Sequence, residues 1–100
     1  METIPLHITP LACEHIKSIM HTKNIASEQY GLRVGMKGNG CGATFLLGFD
    51  KIQATDNRYQ LEDFSVFIDK KHLMYVLGLE IDYEETENGT GFTFHNPNAL

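Results

Sequence analysis

Apolar residues near the start of the chain recur every three to four positions. Ala12, Ile16, Ile19 and Met20 fall at that spacing while Glu14, Lys17 and Ser18 point the other way, the pattern of a helix with one buried stripe. Ile8-Thr9-Pro10 marks its start: Thr9 can cap the first amides, and Pro10 takes the first helical position, where a missing N–H costs nothing. The Lys23-Asn24 neighbourhood predicts its end. From Tyr30 the period shortens to that of a strand. Leu32, Val34 and Met36 share one face and Arg33 and Lys37 the other; after a glycine-rich break, Phe45, Leu47 and Phe49 alternate again. The two runs predict a hairpin with the glycine loop at or near its tip.

Further along, Asp56-Asn57 reads as a turn, and Phe64, Val66 and Ile68 form a third alternating set with Phe67 opposed to them. Asp69 is placed to cap a short second helix through Leu73, Val76 and Leu77, which Gly78 ends. Leu79, Ile81 and Tyr83 alternate, Asn88-Gly89 turns the chain, and Gly91-Phe92-Thr93-Phe94 supplies a last strand. The spacing of Phe45, Phe49, Phe64, Phe92 and Phe94 assigns these rings to the core. No repeat, linker or low-complexity tract interrupts the pattern. The chain reads as one strand-dominated α+β domain spanning residues 1–100.

Composition narrows the function classes. An apolar fraction of 42% is enough for a hydrophobic core. Thirteen acidic against eight basic residues leave a formal charge of -5, the wrong sign for a nucleic-acid partner, and no basic run offsets it. No apolar stretch suggests a signal peptide or membrane span, and two cysteines are too few for a disulfide framework, so a reducing cytoplasm is the expected setting.

Candidate chemistry centres on Cys41, in Gly38-Asn39-Gly40-Cys41-Gly42. Flanking glycines permit positive φ and let backbone N–H groups turn toward a bound atom or a thiolate. Ligand, reactive thiol and inert loop cysteine are all compatible with that setting. Cys13 lies beside the apolar stripe of the first helix and reads as a small packing residue. His7, His15, His21, His72 and His95 show no zinc-type spacing with either cysteine. Glu80, Asp82, Glu84, Glu85 and Glu87 could supply oxygen ligands or simply form a solvated strand face. No serine–histidine–acid set, phosphate loop or paired-carboxylate motif points to an enzyme.

Taken in order, these pieces resemble the HesB/IscA-type (A-type) iron–sulfur cluster carriers. Ile8-Thr9-Pro10 with Ala12 resembles the family's opening, and Gly31-Leu32-Arg33-Val34-Gly35 followed by Gly40-Cys41-Gly42 its first strand and cysteine loop. Asp69, Leu73, Val76, Gly78, Ile81, Asp82 and Tyr83 resemble its short helix and following strand; Gly91-Phe92, Phe94 and Asn96-Pro97-Asn98 resemble its C-terminal signature. In that family a Cys-Gly-Cys pair follows the Asn-Pro-Asn segment. The present sequence reads Ala99-Leu100 after Asn98, so Cys41 alone carries over among the three family cysteines, and Ala43 replaces a loop glycine. Cys13 matches no functional position.

The resemblance implies a HesB-like, β-sandwich-like fold with a long N-terminal helix and a short second one. It implies a non-catalytic assembly or carrier protein that binds iron or a transient Fe–S cluster through Cys41. His95, just before the segment where the family's tail ligands begin, is the second candidate ligand. A cluster normally takes about four protein ligands, so a homodimer presenting two Cys41 thiolates is the economical arrangement. Partners implied are iron–sulfur assembly proteins or apo-protein clients. The alternative is a metal-free HesB-fold protein-interaction module, with a thiol-redox role for Cys41 as a third reading.

Overall fold

A computed structural model describes residues 4–38 and 44–96 of the chain. The long helix α1 runs Pro10–Thr22, with Thr9 as N-cap accepting a hydrogen bond from the Ala12 amide at 3.2 Å. Its other end closes in a Schellman motif. The Asn24 amide bonds the His21 carbonyl at 3.3 Å and the Ile25 amide the Met20 carbonyl at 2.9 Å, while Asn24 takes the left-handed conformation at φ 54°. Asparagine tolerates that region better than most side chains. Ala12, Ile16 and Met20 are buried, as the spacing predicts. A fully buried isoleucine such as Ile16 contributes roughly 1.5–3 kcal/mol of transfer free energy.

Among the described residues, seven strands form two sheets. β2 (Gly31–Lys37), β3 (Thr44–Asp50), β4 (Asp56–Gln60) and β5 (Ser65–Asp69) make a four-stranded sheet in the order β3-β2-β5-β4. β1 (His7–Ile8), β6 (Glu80–Thr86) and β7 (Gly89–His95) make a three-stranded sheet in the order β1-β6-β7. The core cluster gathers Ile16 of α1, Leu32 and Val34 of β2, Val66 and Ile68 of β5, and Ile81 of β6. Phe45 of β3 stacks on Phe94 of β7 at 5.4 Å, joining the two sheets. The strand-dominated α+β class is the one the pattern predicts, and the sandwich-like pairing of two sheets is what the resemblance implies.

β2 pairs antiparallel with β3 and parallel with β5. A strand with a parallel neighbour is usually covered on both faces, and β2 obeys this: its second face is closed by Phe67 and His72 rather than left to water. A Cβ at Gly31 would sit 2.7 Å from the Phe67 ring and 2.9 Å from the Ser65 carbonyl oxygen.

The structure corrects three local readings. Asp56-Asn57 is not a turn but the start of β4; the turn falls at residues 54–55. Asp56 closes that turn by accepting the Gln53 amide at 2.7 Å and then leads directly into the ladder. β4 is an edge strand with only Tyr59 buried, so it carries no alternating apolar signal. β1 precedes the predicted helix start as a strand of its own, since two residues are too short to show a period. Leu77 does not continue the buried side of the second helix. α2 is only Leu73–Val76, and Leu77 has already turned extended at φ -60°, ψ 123°, leaving it 54% exposed. Asp69 does cap the 3₁₀ turn that opens this segment, through the Lys71 amide at 3.0 Å, and Gly78 ends it at φ 78°.

Candidate functional site

The β2–β3 ladder holds both ends of the cysteine loop. Its register runs from Gly31↔Asp50 through Val34↔Leu47 to Lys37↔Thr44. Gly38 follows at φ 88°, a conformation that favours glycine. Cys41 lies within residues 39–43, outside the described residues.

Two interactions fix this ladder. At the end away from the loop, the Arg33 guanidinium donates to both oxygens of Asp56 at 2.7 and 2.6 Å and to Asp50 at 2.9 Å. The Asp56 side chain has no solvent exposure, and Arg33 retains 15%. Hydrogen bonds from Arg33 hold both carboxyls below the usual carboxylate range, and the same contacts raise the Arg33 pKa further. Toward the loop, β5 no longer pairs with β2, and the Met36 amide donates instead to Nδ1 of His72 at 3.4 Å. That bond places the ring hydrogen on Nε2. Gly35 makes the approach feasible, since a Cβ there would lie 2.7 Å from His72 Nδ1. His72 was not singled out from sequence. A glycine inside a strand was the available signal, because it often marks a close approach.

The three-stranded sheet carries the polar residues. Thr9 Oγ1 donates to Asp82 at 2.7 Å while capping α1, and the Tyr83 amide also donates to Asp82, at 2.8 Å. These bonds lower the Asp82 pKa, chiefly the one from Thr9. Asp82 therefore locks the helix start to β6, a structural role. Glu84 accepts from Thr93 and pairs with His95 Nε2 at 2.8 Å; the Thr93 bond first, then His95, lowers its pKa, and Glu84 raises that of His95. His95 lines an open cleft of ≈ 530 Å³ with His7, Gly78, Glu80, Phe94 and Asn96. Glu85 and Glu87 are exposed. Cys13 is half-buried, with its thiol directed at the Ile8 carbonyl 3.9 Å away, and burial raises its pKa. That fits a packing residue. Among the described residues, no group of three His, Cys, Asp or Glu side chains could hold a metal ion, and no helix is long and apolar enough to cross a membrane.

A glycine-rich cysteine hairpin on one sheet, with a short capped helix leading into a second, defines the class of fold used by A-type carriers. The comparisons agree. The structure superimposes on Escherichia coli SufA, involved in biosynthesis of iron–sulfur clusters, with a TM-score of 0.76 at 24% identity, covering 100% of this chain and 89% of that one. It also matches IscA with the [2Fe-2S] cluster, with a TM-score of 0.68 at 26% identity over 94% of this chain and 86% of that one. The iron-sulphur cluster biosynthesis family matches residues 4–100, and the chain belongs to it. SufA of Bacillus subtilis is 39% identical over 96% of this chain and 80% of its own length. The mitochondrial iron-sulfur cluster assembly 1 homolog of Danio rerio is 37% identical over 93% of this chain and 71% of its own.

Proposed function

We propose that this protein is a non-catalytic iron–sulfur carrier whose Cys41 ligates iron or a transiently held cluster. One observation carries the reading. The family match spans residues 4–100, and the segment that contains Cys41 is the one gripped at its base by a seven-pair ladder and by His72. Fixed loop ends reduce the entropy that ordering a bound site would otherwise cost. Glycines on both sides of Cys41 let backbone N–H groups turn toward a bound atom and favour the thiolate that iron requires. A homodimer that brings two Cys41 loops together supplies two thiolates, with the remaining donors drawn from carboxylates, imidazoles or an exogenous thiol. Clients are apo-proteins and assembly partners in a reducing compartment, the cytoplasm. The whole chain, residues 1–100, acts as one domain.

Anaerobic reconstitution with ferrous iron and sulfide tests this reading. The parent and Cys13→Ser develop visible cluster absorption, and Cys41→Ser stays colourless. Colour that persists in Cys41→Ser removes the ligand assignment. A second reading, a metal-free interaction module, draws on the exposed Met74 and Tyr75 side chains of α2. It is favoured if parent and variant are both colourless and iron-free.

A further inference from the structure

The segment after β5 puts charge and exposed apolar surface together. Its 3₁₀ turn, Lys70–His72, leaves Lys70 and Lys71 in solvent, and α2 directly after it leaves Met74 87% and Tyr75 61% exposed. With Leu77, these make three of the five large apolar side chains exposed among the described residues. Position adds to this. His72 lies over Gly35 of β2, and Lys37, two positions on, belongs to the same face of that strand. Lys37 is exposed and immediately precedes Gly38, where the cysteine loop begins. We propose that Lys37, Lys70, Lys71, Met74 and Tyr75 form a docking surface for an acidic protein, set beside the cysteine loop.

Charge selects the occupant. The chain carries -5 overall, yet these three lysines make no ion pair among the described residues. Asp69, the carboxylate nearest Lys70 and Lys71 in sequence, is already engaged by the Lys71 amide and the Thr55 hydroxyl. An acidic partner is repelled by much of the molecule and attracted here, which selects one orientation. A second copy fits poorly. Two-fold pairing of this patch sets lysines against lysines, and seating it on the acidic strand β6 of another chain starts head-to-tail growth rather than a closed dimer.

The apolar half supplies the anchor. Val76 is fully buried and Leu73 packs against the core, so α2 is fixed while Met74 and Tyr75 stay outside it. Methionine is unbranched and adapts to an irregular surface. Tyrosine offers a rigid ring with a polar tip, a combination enriched where proteins meet. The lysines then form a charged rim that speeds encounter, and the apolar pair holds the complex. That the partner is a client for the cargo of Cys41 rests on the carrier reading; the docking itself does not.

The test therefore uses Cys41→Ser protein, with an acidic plant-type ferredoxin in its apo form as the probe and calorimetry as the readout. The expected result is a one-to-one complex that weakens as salt is raised. Its affinity should fall at least about tenfold in Lys70→Glu/Lys71→Glu and in Met74→Ser/Tyr75→Ser, with each fold checked by circular dichroism. Lys23→Glu, the same charge change at another exposed lysine without an ion pair among the described residues, should stay within about twofold of the parent. No complex overturns the proposal, and so does parent-like affinity in either double variant. Sedimentation of the protein alone should be unchanged by Met74→Ser/Tyr75→Ser; a lost oligomer would make the patch a contact between copies and overturn the proposal too. Docking that persists although the parent takes up no iron or cluster upholds this surface and removes the carrier reading, so the two failures are distinct.

Discussion

The two sheets of this molecule spend their residues differently. In the four-stranded sheet, β2 and β5 are covered on both faces: Leu32, Val34, Val66 and Ile68 fill the core, while Phe67 closes over Gly31 and His72 over Gly35. It also encloses a charge: the Asp56 side chain has no exposure, and Arg33 binds it together with the half-exposed Asp50. In the three-stranded sheet only one face is buried, by Leu79, Ile81 and the rings of Tyr83, Phe92 and Phe94. The other face holds His7, Glu80, Asp82, Glu84, Thr93 and His95. The closed sheet therefore holds both ends of the cysteine loop. The open sheet keeps His7 and His95 exposed beside its carboxylates.

If the first sheet is the base, breaking its enclosed charges has the largest effect. Arg33→Met leaves the Asp56 carboxylate buried without its cation and should cost about 3 kcal/mol in urea unfolding. The pH dependence follows from the signs. Asp50 and Asp56 have folded pKa values below the ordinary carboxylate value, so their contribution is complete above about pH 5 and is lost as pH falls through the folded values. In Arg33→Met this acid loss flattens, because the unpaired Asp56 prefers to be protonated. An unchanged acid profile would mean that the pair is not closed to water.

Packing should separate glycines by the same contrast. Gly31→Ala drives a methyl into Phe67 and the Ser65 carbonyl and should cost about 1–3 kcal/mol. Gly48→Ala, on β3 with nothing within 4 Å, should stay within about 0.5 kcal/mol of the parent. Equal effects at the two positions would contradict the idea that β2 is enclosed.

The smallest effect belongs to the open sheet. Glu84 raises the His95 pKa, so the pair's stabilisation is present below the ordinary histidine value near 6.5 and fades as pH rises through the folded value. Glu84→Gln should lower the melting temperature slightly at pH 6 and not at pH 9, and an NMR titration should show the His95 midpoint falling. A midpoint that does not move would separate His95 from Glu84.

The contrast also explains what the sequence could disclose. Helix α1 was legible to its caps because Thr9-Pro10, the stripe from Ala12 to Met20 and Asn24 are all local signals. Strands with one or two apolar faces were legible for the same reason. β4 was not, since Asp-Asn-Arg-Tyr-Gln looks polar until Arg33, distant in sequence, claims Asp56. The site was legible only where chemistry is concentrated in neighbouring residues. Cys41 announces itself through its glycines, whereas the clamp from His72 to Met36 spans 36 positions and no local pattern shows it.

The most direct measurement is cluster transfer. Protein reconstituted with iron and sulfide is mixed anaerobically with an apo-ferredoxin, and the ferredoxin is re-isolated and its cluster quantified. The account predicts a loaded ferredoxin from the parent and from Cys13→Ser, and none above the free iron-and-sulfide control from Cys41→Ser. Equal loading by Cys41→Ser would contradict it.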